Sequence, residues 1–137
     1  MIEICEVGVR DGLQNEKLVV TTEDKLELIR QLVAAGSKKI EVASFVNPKL
    51  MPQMADAERL IEQLEDVEGV TYSALVLSNS GLERLLSTKI KHVQLSFAVS
   101  DGFNMKNIRR TTDESIVEMK KIVDKAKIYD KKINVLN

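Results

Sequence analysis

Short runs of β-branched and large apolar residues alternate along the chain with segments whose apolar residues recur at helical spacing. Residues 2–8, 39–45, 70–77, 90–98 and 133–136 read as strands. Between them, Leu26, Ile29, Leu32 and Val33 form one helical stripe, and Ala57, Leu60, Ile61 and Leu64 form a second. A short third helix carries Leu82, Leu85 and Leu86; a fourth carries Ile116, Met119, Val123 and Ala126. Thr21 with Asp24, and Thr111 with Glu114, have the spacing of helix-starting capping boxes. Gly36 stands where a left-handed residue commonly ends a helix. The loops after the first two strands are long, and the second holds both prolines, Pro48 and Pro52.

Four strand–helix units followed by a fifth strand imply a parallel sheet covered by helices. A doubly wound sheet buries both faces, so its strands read as unbroken apolar runs. Here the second strand divides into Ile40, Val42 and Ser44 on one side and Glu41, Ala43 and Phe45 on the other. The fourth divides into Val93, Leu95 and Phe97 against Gln94, Ser96 and Ala98. Small and polar residues on one face suit the lumen of a (β/α)8 barrel near its reacting end. Such a barrel takes about 250 residues, and this chain has 137. The expectation is an α/β fold whose parallel (β/α) units form about half of a TIM barrel. Residues 1–137 would be a single partial barrel domain, holding strands 1–4 with their helices and the start of strand 5. Unpaired sheet edges and an open lumen invite association, so a homo-oligomer or pairing through the open half-barrel is expected.

Charge changes this picture only by exclusion. Twenty basic against twenty-one acidic residues leave a net charge of -1, which gives no electrostatic case for nucleic acid or an anionic membrane. No continuous apolar stretch approaches the ~18 residues of a membrane span. The start, Met1-Ile2-Glu3-Ile4, lacks the basic and apolar regions of a secretory signal. With Cys5 as the one cysteine, no internal disulfide is possible, and a reducing, cytoplasmic setting is expected.

The residues that could carry chemistry cluster after the first strand, in Gly8-Val9-Arg10-Asp11-Gly12-Leu13-Gln14-Asn15-Glu16-Lys17. An adjacent arginine and aspartate at the end of a barrel strand fit a catalytic rim. A surface ion pair in a glycine turn fits the spacing equally well. His92 lies at the start of strand 4, away from the reacting end, and reads as an ordinary partly exposed residue. Cys5 reads as a small core or lumen residue. Lys120, Lys121, Lys125, Lys127, Lys131 and Lys132, interrupted by Asp124 and Asp130, read as the wet face of the last helix.

Arg10-Asp11-Gly12-Leu13-Gln14-Asn15-Glu16 resembles the signature of hydroxymethylglutaryl-CoA lyases. These are barrel enzymes of a larger family that makes or breaks carbon–carbon bonds beside a divalent metal. A second block, Ile40-Glu41-Val42-Ala43-Ser44-Phe45-Val46-Asn47-Pro48-Lys49 with Pro52-Gln53-Met54, resembles the lyases' second strand and loop. A third, Lys106-Asn107-Ile108 after Ser100, resembles the loop following their fourth strand. Val9 departs from the proline usual in the family, and Phe103 from a histidine often seen there. Leu13 argues against a related synthase.

The resemblance implies retro-Claisen cleavage of 3-hydroxy-3-methylglutaryl-CoA to acetyl-CoA and acetoacetate, a reaction of leucine degradation. It implies Arg10 as the group that stabilises enolate charge and Asp11 as a ligand to Mg²⁺ or Mn²⁺. Glu41 would hold the arginine or help move protons, with Gln14 close by. Ser100 is the implied substrate contact, while Lys49, Lys106 and Asn107 could meet CoA phosphates or the acyl carboxylate. The family's His-x-His metal ligands, a later asparagine and a flap cysteine have no counterparts among these residues. The chain is therefore expected to be a fragment or to pair with another chain, and to have little activity alone. Two rivals stand beside this reading: a related acyl-CoA lyase or synthase, and a non-catalytic half-barrel that binds or assembles.

Overall fold

The computed structural model describes residues 1–136. Five strands form one parallel sheet in sequential order: β1 (Cys5–Glu6), β2 (Lys39–Ser44), β3 (Thr71–Val76), β4 (His92–Ser96) and β5 (Lys132–Leu136). Between them run α1 (Thr22–Ala34), α2 (Ala57–Glu62), α3 (Asn79–Leu86), α4 (Asp101–Ile108) and α5 (Thr112–Ile128). The strands make half of a barrel, with the core between the sheet and its helices. Among the described residues, no helix is long and apolar enough to cross a membrane.

Pairing register fixes which side chains face inward, because aligned residues of a parallel pair project to the same side. Ser73 aligns with His92 and Leu75 with Gln94; Gln94 in turn aligns with Asn134. Their shared face is the inner one, lined near its lower end by Cys5, Lys39, Thr71 and Lys132. Ala74, Val76, Val93 and Leu95 take the other face and are buried with Leu60, Ile61, Leu82 and Leu85. The division expected for the fourth strand is therefore the one observed.

On β2 the expected division is corrected. The register shifts between Glu41 and Ala43, so Val42 is an extra residue in the strand. Glu41 aligns with Ser73, Ala43 with Ala74 and Ser44 with Leu75. Glu41 and Ser44 thus share the inner face, while Ile40 and Ala43 share the helix side. Simple alternation had placed Ser44 with Ile40 and Glu41 with Ala43.

Two elements also differ from the expected layout. The first strand was expected over residues 2–8, but its ladder comprises Cys5 and Glu6 alone. It has β2 as its one neighbour, and Met1, Ile2 and Ile4 stay exposed. Beyond it the chain leaves the sheet, and the Glu6 carboxylate accepts the Gly8 N–H at 2.6 Å. The fourth connection contains two helices instead of a loop and one helix. Lys106 and Asn107, expected in a loop, lie exposed on α4. Asn104 makes that turn possible: its buried side chain accepts from Ala98 N and donates to Ala98 O and Thr112 Oγ1.

Both expected helix starts are present. Thr111 and Glu114 form a reciprocal capping box, and Thr21 caps α1 by accepting from Asp24 N. Gly36, at φ 99°, reverses the chain after α1. Gly81 has a different task, since a Cβ there would lie 2.4 Å from the Phe45 carbonyl oxygen. The close approach seats α3 on the end of β2, where Arg84 stacks over Phe45 and donates to Val46 O and to Glu58. Gly81→Ala is expected to cost about 1–3 kcal/mol by forcing backbone apart, measured as a fall in the urea midpoint. An unchanged midpoint would show that α3 can shift freely.

Candidate active site

The segment after β1 coils into a π-type turn, Gly8–Gly12, of the kind that frequently occurs at functional sites. The Val7 carbonyl accepts from the amides of Arg10, Asp11 and Gly12, at 3.2, 2.7 and 3.4 Å. Val9 anchors the turn in the core. Asn15 closes it from outside, donating from Nδ2 to the Asp11 carbonyl at 2.8 Å. These contacts explain how two adjacent charged residues keep fixed directions in a loop.

Arg10 Nε donates to Glu41 Oε1, and another guanidinium nitrogen donates to Asp11 Oδ1 at 2.9 Å. Side-chain exposure falls along the chain of contacts, from 56% at Asp11 to 16% at Arg10 and 2% at Glu41. One guanidinium is thus gripped by a buried carboxylate on its inner side and an open one on its outer side. The surface-pair reading of Arg10–Asp11 missed that buried partner. Glu41 comes from β2 and is oriented inward by the pairing described above.

Other expected site residues divide by position. Gln14 is half-buried, and its Oε1 is buried without a hydrogen-bond partner. Ser44, on the inner face beyond Glu41, likewise has a buried, unpartnered hydroxyl; sequence reasoning did not select it, although a serine between apolar residues was the visible signal. Ser100 follows β4 and is exposed, with its Oγ accepting from Phe103 N at the start of α4. That is a helix-capping position. Lys49 is exposed in the loop after β2, and its amide donates to Asn47 Oδ1 at 3.0 Å. Lys106 and Asn107 are exposed on α4.

The lower inner face has separate electrostatics. His92 is held below its ordinary pKa, first by burial and then by Lys132, Lys39 and Lys91. Burial, followed by the Glu41 charge, raises the Cys5 thiol. Both shifts favour the uncharged form of each group. Asp11 carries an exposed carboxylate, paired with Arg10. Among the described residues, no three His, Cys, Asp or Glu side chains gather into a metal-binding group.

A family model described as HMGL-like matches residues 1–136. The chain belongs to the HMGL-like family. This HMGL-like chain is 41% identical over 121 residues to the hydroxymethylglutaryl-CoA lyase YngG of Bacillus subtilis, covering 88% of the chain and 40% of that protein. It is 42% identical over 127 residues to the (R)-citramalyl-CoA lyase of Chloroflexus aurantiacus, covering 85% and 40% respectively. A solved HMG-CoA lyase from Bacillus subtilis matches with a TM-score of 0.93 and 38% identity, over 98% of this chain and 45% of that one. The HMGL-like half-barrel therefore spans less than half the length of these relatives.

Proposed function

We propose that this half-barrel serves a divalent-metal-dependent lyase that cleaves 3-hydroxy-3-methylglutaryl-CoA to acetyl-CoA and acetoacetate, in a cytoplasmic setting. The observation that carries the reading is Arg10 held between buried Glu41 and exposed Asp11. Loss of the proton on the substrate's tertiary hydroxyl lets the adjacent carbon–carbon bond break. Its electron pair moves onto the acetyl-CoA fragment as an enolate, the hydroxyl carbon becomes the ketone of acetoacetate, and a proton returned to the enolate carbon completes acetyl-CoA. Arg10, prevented from turning by Glu41, would meet the thioester oxygen as negative charge develops there. Glu41 acts as its holder, and Gln14, whose buried amide oxygen lacks a partner, would receive a substrate or ligand donor.

Asp11 fits one corner of a hard-cation site, since Mg²⁺ takes oxygen ligands at about six positions. When bound, Mg²⁺ or Mn²⁺ would polarise the reacting hydroxyl. The remaining ligands would come from outside the described residues, through strands that also close the inner face. Association at the open β1 and β5 edges, by further strands or another copy, belongs to the same proposal, as does the treatment of residues 1–137 as one partial barrel domain. Ser100 and the exposed Lys49, Lys106 and Asn107 remain proposed contacts for the acyl-CoA substrate.

Acetoacetate release tests the reading, using the 137-residue chain and an extended chain that carries a His-x-His segment. The extended chain is expected to turn over only with Mg²⁺ or Mn²⁺, and the short chain at a small fraction of that rate. Robust turnover by the short chain would refute the account of incomplete metal ligation. No turnover by a folded, metal-loaded extended chain on any tested acyl-CoA would favour a non-catalytic assembly role. The similarity to a citramalyl-CoA lyase favours testing a second substrate: faster cleavage of citramalyl-CoA would reassign the acyl specificity.

A further inference from the structure

Between α1 and α2 lies an ion pair that the proposed reaction does not use, with Lys25 enclosed and Asp56 24% exposed. Lys25 is 1% exposed although it neighbours the apolar Leu26 and Ile29 on α1. Its ammonium donates to Asp56 Oδ1 at 2.7 Å and to the Gln53 carbonyl at 2.5 Å. Asp56 Oδ2 accepts from Thr22 Oγ1 at 2.7 Å. The Gln53 side chain then donates from Nε2 to the Glu16 carbonyl at 2.7 Å. Glu16 belongs to the same loop as Arg10 and Asp11, so the chain of contacts runs from a buried ammonium to the arginine-bearing segment.

Stability alone is a weak reason for this arrangement. Desolvating both charges offsets much of their attraction, and an apolar pair of similar volume often holds two helices as well. Apolar contact, however, does not fix the direction of a carbonyl. Lys25 does so at Gln53, whose backbone and side chain are then committed to different partners. The recipient of that direction is largely open: Asp11, Gly12, Asn15 and Glu16 are exposed, while Val9 is buried in the core and Leu13 packs against it. Arg10 must nevertheless meet a carboxylate on a neighbouring strand. The contacts of Val7, Val9 and Asn15 fix the turn internally, and the Gln53 side chain is what ties its far end to α1 and α2.

We infer that Lys25, Asp56 and Gln53 are positioning residues that set the loop height at which Arg10 meets Glu41. The inference rests on the role proposed for Arg10, but it can be read without any turnover. The measurement is the Arg10 Nε–H signal in ¹⁵N spectra of the 137-residue chain, assigned by its disappearance in Arg10→Lys. Gln53→Ala cuts the tether and leaves the ion pair in place. Lys25→Met combined with Asp56→Leu removes both charges together. In folded samples, judged by unchanged core methyl shifts, both changes are expected to move the Arg10 signal toward that of a free arginine. Its hydrogen exchange is expected to quicken at least tenfold. An unmoved Arg10 signal with unchanged exchange in folded Gln53→Ala overturns the inference, even if the double variant fails to fold. Failure of the lyase reading would look different: an inactive extended chain whose Arg10 signal still responds to Gln53→Ala.

Discussion

Arg10→Gln in the extended, metal-dependent enzyme is expected to lower kcat by about a hundredfold to a thousandfold, with KM changed only a few-fold. The glutamine amide can still donate one hydrogen bond, but it brings no positive charge to a developing enolate. Arg10 is also 16% exposed and already braced by Glu41, so it costs little reorganisation at the moment charge appears. An interaction that strengthens mainly in the transition state appears in kcat, whereas one made equally in the bound substrate appears in KM. Steady-state acetoacetate release separates the two. A large rise in KM at constant kcat would make Arg10 an ordinary binding group and remove the electrostatic argument.

The second large effect is on stability. Asp56→Ala is expected to cost about 3–5 kcal/mol because it strands the Lys25 ammonium in the core. Lys25 is almost fully enclosed, and its remaining partner, the Gln53 carbonyl, carries no countercharge. Replacing both members by methionine and leucine removes that penalty, so the double variant is expected to be more stable than Asp56→Ala alone. Urea unfolding of the three chains measures the difference. A loss below about 1 kcal/mol for Asp56→Ala would mean that water reaches Lys25 after the change, well under the usual cost of an unpaired buried charge.

Much of the architecture was legible because periodicity and caps agree. The stripes of α1 and α2, the Thr111–Glu114 box and Gly36 each reported a local property that the tertiary fold preserved. The inward polar face of β4 was readable for the same reason: Gln94 and Ser96 keep a strict two-residue spacing. Where tertiary partners decide, the sequence was silent. Nothing in the apolar neighbourhood of Lys25 announces that Asp56, a residue of a different helix entrance, will neutralise it. The two-helix fourth connection depends on Asn104 bonding across six residues to Ala98, a contact invisible to helical periodicity. The Arg10–Asp11 pair was visible as a motif, and Glu41 entered as the arginine's holder through the family resemblance alone, because no local pattern reports a contact between residues 31 apart.

The extra residue in β2 separates two properties that are usually confounded, the side on which a group emerges and the angle at which it does so. Pairing with β3 assigns the sides: Glu41 follows Ser73 inward, and Ala43 follows Ala74 outward. Shortening the strand by Val42 would leave a regular ladder with these assignments intact. It would also remove the bend that a surplus residue imposes on its strand. The inward placement of Glu41 is therefore indifferent to the length of β2, whereas the bend of the strand just beyond it depends on one residue more than the ladder requires.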